Sequence, residues 1–341
     1  MKKIGMKDIA KKCNVSVATV SYVINGVDKV SEEKKKMVLQ AIEELNYNPN
    51  LNARALSKGE SKLIGILLPL VEEEDRIESL IGSNPFYMEF IAGAECGLQD
   101  RGYDILLSGT YGHENFKRWL SGRDLDGIVI FGSAPKEIYQ IVREMQVPCC
   151  LVDSDEGDGW MSVNIDDELG GYLATRHLID LGHQKIGFLG SSLNKSNVNR
   201  NRYQGYQRAL KESGIRFNPK YVFEDDVSFE AGVRTAQKIY QSQSDITGIV
   251  CTSDTGAIGL IKGCTDLKMK VPDRLSIVGF DDIKMSSYIT PTLTTIKQDV
   301  ALKGKIAVDY LISSLVSNTS LNRQTVLIPT LIQRESTKKL K

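Results

Sequence analysis

The sequence predicts an α plus α/β protein, in which a small helical head precedes a larger region of parallel β-sheet covered by helices. Three observations predict this fold class. In residues 7–25, apolar side chains recur at helical spacing in two short runs separated by a turn. From Lys62 onward, short apolar runs alternate with amphipathic stretches, which is typical of parallel sheets with helices on both faces. A polar break near residues 154–162 divides these runs into two sets and indicates two lobes.

Charge is distributed unevenly along the 341 residues, which are enough for two or three domains. The formal net charge is zero, yet residues 1–62 hold 12 Lys and Arg against 7 Asp and Glu. The remaining residues hold 31 basic and 36 acidic side chains. A basic head on an acidic body suits a module that meets phosphate while the rest of the chain stays away from it.

The cysteines and the apolar runs indicate a cytoplasmic protein. None of the six cysteines forms a Cys-x-x-Cys pair, and we expect reduced thiols that are mostly buried. No signal peptide opens the chain, and no apolar run approaches the roughly 20 residues that cross a membrane.

Residues 7–25 predict a helix-turn-helix. The apolar positions are Ile9, Ala10 and Cys13 in the first helix and Val20, Val23 and Ile24 in the second. Asn14 tolerates the left-handed conformation that the turn requires, and Ser16 is suited to cap the second helix. In this motif the second helix reads bases and the first crosses the DNA backbone.

The second helix carries the candidate DNA contacts. Its opening turn, residues 17–19, is small and uncharged, so it fits a major groove. Short polar groups suited to phosphate contact are Ser16, Thr19, Ser21 and Asn25. The alternative is a structural corner, with Val17 in the core and Tyr22 packed on the surface.

The rest of the head continues as helix. Ser31 is suited to cap a third helix, with an apolar stripe from Met37 to Leu45. A short helix-prone piece, residues 46–57, follows around a proline.

Seven apolar runs predict strands in the body. They are Leu63–Leu70, Asp104–Ser108, Gly127–Phe131, Pro148–Asp153, Lys185–Leu189, Gly248–Thr252 and Leu275–Phe280. Amphipathic runs predict helices at Phe86–Arg101, Pro135–Met145, Asp167–Leu181, Arg202–Ser213 and Phe229–Gln243. Ligands bind beyond the carboxyl ends of strands in such sheets, so two facing lobes predict a site in the cleft between them.

Motifs along nearly the whole chain resemble the LacI/GalR (lactose-repressor) family of bacterial transcription regulators. In the head they are KDIAKKCNVSVATVSYVING, VSEEKKKMVLQAIEELNYNPN and ARALSKG. In the body they are SNPFY, DGIVIFGS, LGHQKIGFLG, RYQGY, TSD, SIVGFDD and PTLTTIKQD.

The resemblance implies a domain plan. A helix-turn-helix domain would span 1–48, a hinge helix and linker 49–61, and a ligand-sensing and dimerisation domain 62–341. That domain is similar to periplasmic sugar-binding proteins, with three chain crossings between its lobes. The N-lobe would take about 62–163 plus 293–325, and the C-lobe about 164–290 plus 326–341.

The resemblance also assigns DNA contacts. Val17, Ala18 and Tyr22 occupy base-reading positions, where the first two offer apolar contact and Tyr22 a hydroxyl. In the hinge, Leu56 would wedge into the minor groove, and Arg54 would enter the same groove. Ser31, Asn50 and Ala53 complete the predicted contacts.

For the cleft, the resemblance implies a set of ligand contacts. They are Pro85, Phe86, Asp153, Arg202, Ser253, Asp254, Asp281 and Gln298. Arg202 is the strongest candidate, since a guanidinium can clamp adjacent hydroxyls. Alternatively, Arg202 pairs with a cleft carboxylate, while Asp153, Ser253 and Asp254 cap following turns.

Two departures from the family pattern affect the cleft. An acidic insertion at residues 71–82 is either a solvated loop or a part of the cleft mouth. Val227 stands where relatives commonly carry an aromatic residue that stacks on the sugar, and Phe229 is a possible substitute.

These features predict a dimeric repressor of a carbohydrate-utilisation operon, bound to a palindromic operator and controlled by a small sugar-type effector. We expect no cofactor, metal site or catalytic residue, since no phosphate-cradling glycine loop or metal-spaced His/Cys set is present. One alternative is a DNA-binding regulator whose effector is a phosphorylated partner protein or a corepressor. Another is a solute-binding protein that does not bind DNA.

Overall fold

The computed structural model divides the chain into two compact units, Met1–Lys62 and Leu63–Lys341. It describes residues 4–24, 27–45, 47, 61–70, 77–154, 156, 159–193, 197–317 and 322–340. Among these residues, no helix is both long and apolar enough to pass through a membrane.

The first unit is a head of three helices, α1 (Met6–Lys12), α2 (Val17–Ile24) and α3 (Glu32–Glu44). Its core is built on Ile9, Val20 and Val38, all fully buried. Helical spacing predicts this core because residues three or four apart share one face.

Local signals set the turns of the head. Asn14 adopts φ +49°, which confirms the predicted left-handed turn residue. Ser16 Oγ accepts a hydrogen bond from Thr19 N at 3.0 Å, which confirms the predicted cap of α2. Ser31 occupies the position before α3, but its side chain makes no capping hydrogen bond. The carboxylates of Glu32 and Glu33 instead complement the positive end of that helix.

The first lobe of the second unit is a parallel six-stranded sheet of order β11-β5-β4-β3-β1-β2. Its strands are β1 (Leu63–Pro69), β2 (Asp104–Thr110), β3 (Gly127–Phe131), β4 (Cys149–Val152), β5 (Met161–Ile165) and β11 (Gln324–Leu327). Its helices are α4 (Ile77–Ser83), α5 (Pro85–Gln99), α6 (His113–Ser121), α7 (Lys136–Met145) and α12 (Val300–Ser317).

The second lobe has a six-stranded sheet of order β12-β10-β9-β8-β6-β7, in which β12 runs antiparallel to β10. Its strands are β6 (Ile186–Gly190), β7 (Val222–Glu224), β8 (Gly248–Cys251), β9 (Ser276–Asp281), β10 (Thr294–Lys297) and β12 (Thr330–Ile332). Its helices are α8 (Asp167–Asp180), α9 (Asn197–Glu212), α10 (Phe229–Gln241) and α11 (Asp254–Asp266), with 3-10 turns at Pro219–Tyr221 and Lys284–Ser287.

The predicted fold class is confirmed, while the lobe limits differ from the expected ones. Residues 294–297 were expected in the N-lobe, but β10 pairs with β9 in the second sheet. The sheet to which a strand belongs depends on its hydrogen-bond partner, which a sequence motif does not specify. The crossings follow β5, β10 and β11, so β5 extends the first lobe to Ile165 and β11 to Leu327.

Part of the acidic insertion is an ordered helix. Residues 71–76 lie outside the described residues, but 77–83 form α4. Ile77 and Ile81 are half-buried against the N-lobe core. Neither residue carries the charge that suggested a solvated loop, and both contribute to packing.

Candidate functional site

Helix α2 separates its side chains into a buried face and an exposed face. Val20 and Val23 pack in the head core, while Val17 and Tyr22 are each 40 % exposed. The alternative in which Val17 belongs to the core is therefore wrong. Ala18 is exposed too, so the three side chains predicted to read bases are accessible.

Hydroxyl groups mark the start of the same helix. Ser16 Oγ and Thr19 Oγ1 lie 2.9 Å apart at the surface of the head. Ser21 is half-buried one turn further along α2, and Ser31 is exposed before α3. Asn25, Asn50, Ala53, Arg54 and Leu56 lie outside the described residues.

In the second unit, Asp153 directly follows β4 of the N-lobe, and Asp281 is the last residue of β9 in the C-lobe. Both have a left-handed backbone, with φ +52° and +118°. Such conformations are strained for residues other than glycine and concentrate at functional sites. Gln298 directly follows β10, and its Nε2 donates to Asp281 Oδ1 at 2.5 Å.

A buried lysine connects these strand ends. Lys303 on α12 is 0 % exposed, and its Nζ lies 2.5 Å from both Asp153 Oδ1 and Gln298 Oε1. Because the ammonium donates to Gln298 Oε1, the amide of that residue must turn its NH2 group toward Asp281. A chain of polar contacts therefore runs from the N-lobe through the second crossing to the C-lobe.

Arg202 on α9 lies on the C-lobe side of this chain. Its Nε donates to Asp167 Oδ1 at 2.7 Å, and its Nη1 to Thr252 O at 2.6 Å. Nη1 is also 4.0 Å from Asp281 Oδ1, and the guanidinium stacks 3.5 Å from the Phe280 ring centroid. The predicted pairing of Arg202 with a cleft carboxylate is thus present.

Burial changes the protonation of these groups. It raises the pKa of Asp281 to about 7, although Arg202 favours the ionised form. Burial also raises the pKa of Asp167, against the opposing charge of Arg202. Tyr87 on α5 has its pKa raised to about 12 by burial and by the charges of Asp153 and Asp281.

A cavity of about 300 Å³ lies beside the cluster. Its polar lining includes Asp153, Asn164, Asp166, Asp167, Glu168 and Asn201. Ile165, Val198 and Val326 form an apolar side. Polar groups beside an apolar wall are suited to the hydroxyls and the C–H face of a sugar.

Four predicted ligand residues are therefore brought together, namely Asp153, Arg202, Asp281 and Gln298. Pro85 is exposed at the start of α5, and Phe86 packs against Phe131, with ring centroids 5.5 Å apart. Val227 is half-buried, and Phe229 begins α10 with its ring partly exposed.

Ser253 and Asp254 serve the C-lobe interior instead. Ser253 Oγ caps α11 by accepting from Gly256 N at 3.0 Å. Asp254 is 0 % exposed and accepts hydrogen bonds from Ile283 N, Ser286 Oγ and Thr295 Oγ1. The prediction that Ser253 and Asp254 contact the ligand is therefore corrected, because their side-chain oxygens already form hydrogen bonds within the C-lobe.

Sequence reasoning missed Tyr87, Asp167 and Lys303. Asp167 follows β5 at a helix start, where acidic residues are common for capping reasons alone. Lys303 lies in an amphipathic helix, and a lysine there usually indicates the solvent face. Within the described residues no cluster of His, Cys, Asp and Glu is arranged to hold a metal ion.

Each of the two units matches a family of known proteins. Residues 5–50 match the family model "Bacterial regulatory proteins, lacI family", and residues 175–337 match "Periplasmic binding protein-like domain". The "Ribose operon repressor" of Haemophilus influenzae is 36 % identical over 347 aligned positions, covering 98 % of this chain and 99 % of the relative. The chain belongs to the LacI family.

Solved structures of the LacI family share this fold. The lac repressor dimer bound to operator and the anti-inducer ONPF matches with a TM-score of 0.85 and 27 % identity, over 99 % of this chain and all of that one. A LacI family regulator from Enterococcus faecium with bound ribose matches with a TM-score of 0.73 and 26 % identity, over 82 % of this chain and all of that one. The protein is a LacI-family transcription regulator, as predicted, and its relatives are not enzymes.

Proposed function

We propose that this LacI-family regulator is a dimeric repressor that binds a palindromic operator and responds to a small sugar in the interlobe cleft. The observation that carries the proposal is the buried cluster of Asp153, Arg202, Asp281 and Gln298. With Lys303 as the link between Asp153 and Gln298, it joins the two lobes at their strand ends, beside an open cavity. The regulator would act in the cytoplasm, where a bacterial operator lies.

The head would read the operator with α2. Exposed Val17 and Ala18 offer apolar contact to thymine methyl groups, and Tyr22 adds a hydroxyl. Ser16, Thr19 and Ser21 would contact phosphate and set the register. We infer a head at 1–48, a hinge at 49–61 and a sensor from residue 62, with the hinge assignment based on sequence resemblance.

The effector would act by changing the relative position of the lobes. A ligand that contacts Arg202 and Asp281 in the C-lobe and Asp153 in the N-lobe alters the same contacts that join the lobes. Only a ligand with different affinities for the two lobe arrangements shifts their populations. A thousandfold change in operator affinity needs about 4 kcal/mol of such coupling.

The test begins with selection of bound duplexes from a random pool by the purified full chain at fixed, near-physiological salt. We expect enrichment of a palindrome. Fluorescence anisotropy of that duplex, titrated with a panel of monosaccharides, then identifies a sugar that changes operator affinity.

Arg202→Ala should abolish the response to that sugar while preserving operator affinity. Lys211→Ala is the matched control, because Lys211 lies exposed on the same helix. Arg202→Lys preserves a cation near Asp167 if the alanine variant folds poorly. A full sugar response in both Arg202 variants would refute the assigned site, and failure to enrich any duplex would refute the assigned head.

A further inference from the structure

The two cations of the interlobe cluster are engaged with the protein itself. Lys303 is fully buried and donates to Asp153 and Gln298. Arg202 directs Nε to Asp167 and Nη1 to the Thr252 carbonyl. Both positive charges therefore have protein acceptors, and within the described part of the chain the remaining donors of the two cations are the third ammonium hydrogen of Lys303, the second hydrogen on Arg202 Nη1 and the Nη2 group of Arg202.

In the described part of the chain, each carboxylate of the cluster has a protein hydrogen-bond donor at only one of its two oxygens. Asp153, Asp167 and Asp281 each use Oδ1 for a protein donor. Among the described residues no donor reaches the second oxygen of these three side chains. Three carboxylates against two cations also leave the cluster with an excess negative charge when all are ionised.

The adjoining cavity has the same polarity. Beyond Asp153 and Asp167 it is lined by Asp166 and by Glu168, whose carboxylate pairs with Arg208 at 2.6 Å. No lysine, arginine or histidine is among its described lining residues. Its volume of about 300 Å³ is at the lower end of the range for ligand pockets. The negative charge and the small volume of the candidate pocket therefore belong to the same part of the cleft.

We propose that the effector is an uncharged or amine-bearing polyol of monosaccharide size, and that the cleft selects against phosphorylated and carboxylated sugars. This inference rests on the proposed sugar response. Hydroxyl and amine groups donate charge-assisted hydrogen bonds to the free carboxylate oxygens. A phosphate brings between one and two negative charges to a region whose cations already have partners.

Matched sugar sets test the selectivity. Isothermal titration calorimetry of the full chain at pH 8 would compare D-ribose with D-ribose 5-phosphate, and D-glucose and D-glucosamine with D-glucose 6-phosphate. In a set that binds, we expect the phosphate to have a Kd at least a hundredfold above that of its parent sugar.

Asp281→Asn tests the cause, since an asparagine oxygen can still accept from Gln298 while the charge is removed. We expect the ratio of the Kd of the sugar phosphate to the Kd of its parent sugar to fall at least tenfold. Asp266→Asn is the control, because Asp266 is an exposed carboxylate of α11 that pairs with Lys262. It should leave the ratio unchanged.

Each result bears on one claim. A phosphate that binds as tightly as its parent sugar overturns the selectivity and leaves the sugar-responsive regulator intact. If the ratio of the Kd values is unchanged in Asp281→Asn, the Asp281 carboxylate is not the cause of the selectivity. If no sugar of either set binds or alters operator affinity, the proposed sugar response fails, and this inference fails with it.

Discussion

Lys303 illustrates how much of the cleft depends on single buried side chains. Its ammonium has no exposed surface and two acceptors at 2.5 Å. A buried ion pair is costly to form, but removal of one partner is costlier, because it leaves the other charge buried and unpaired. The stability of the sensor should therefore depend on this residue.

We predict that Lys303→Met lowers the free energy of unfolding by about 3–5 kcal/mol. The thioether fills similar space but leaves Asp153 Oδ1 and Gln298 Oε1 without their donor. Lys305→Met, at an exposed position of the same helix, should change the free energy of unfolding by less than about 0.5 kcal/mol. Urea denaturation of both variants measures the difference, and equal midpoints would contradict the prediction.

Asp281 should make stability depend on pH. Burial raises its pKa to about 7, whereas an unfolded Asp titrates near pH 3.9. The folded chain thus holds an extra proton between these values. The stability from the protonated carboxyl is fully present below about pH 4 and is lost as pH rises through about 7.

Asp281→Asn mimics the protonated carboxyl at every pH. We expect the variant to gain stability relative to the original chain as pH rises from 5 to 8, in urea denaturation at each pH. Burial lowers the pKa of His177 and His183, which favours stability at higher pH. That contribution is common to both proteins and cancels in the difference. A difference independent of pH would contradict the assigned pKa.

At the scale of elements, the cleft is positioned by close contacts between helices. A Cβ built on Gly171 of α8 would lie 2.0 Å from the Arg202 carbonyl oxygen of α9. A Cβ built on Gly205 of α9 would lie equally close to the Glu168 carbonyl oxygen. These two glycines set the spacing of the helices that carry Asp167 and Arg202.

Gly171→Ala should therefore displace α9 and lower the free energy of unfolding by more than about 2 kcal/mol, since the added methyl meets backbone rather than a movable side chain. The response to sugar should weaken with it, because Arg202 moves. Gly82→Ala is the control, as a Cβ there meets nothing within 4 Å. Thermal unfolding and operator anisotropy measure both effects. A Gly171→Ala chain as stable as the control would show that α9 adapts at no cost.

Elements were predictable where their apolar pattern is continuous. All seven predicted strands form, since a buried parallel strand is a run of apolar residues. The short β7 and the strands β5, β10, β11 and β12 were not among the apolar runs that predicted strands. Their residues include Thr, Ser, Asn, Gln and Glu, so the runs are interrupted, and partners far away in sequence determine their pairing.

At the scale of the whole molecule, the chain combines a basic head of 1–62 with an acidic body. Attraction to DNA phosphate is therefore concentrated in the head, and the body contributes repulsion. Two heads on one palindrome require two chains, so the proposed operator binding implies a dimer.

We predict a dimer of twice the 37.8 kDa chain mass in sedimentation equilibrium at micromolar concentration. A tetramer or a monomer at that concentration would contradict the prediction. Repeating the run with operator duplex present tests whether DNA changes the assembly.

The sequence by itself determined the helix-turn-helix, the alternation of strands and helices, and the family. The first two follow from periodicity and local turn chemistry, which are properties of neighbouring residues, and the family follows from the resemblance of its sequence motifs. Only the tertiary structure decided that Lys303 and Asp167 join the cleft and that Asp254 serves the core. Hydrogen bonds link Lys303 to Asp153 and Asp254 to Thr295 across 150 and 41 residues of chain. The protonation of Asp281 likewise depends on burial by distant elements, so no local pattern encodes it.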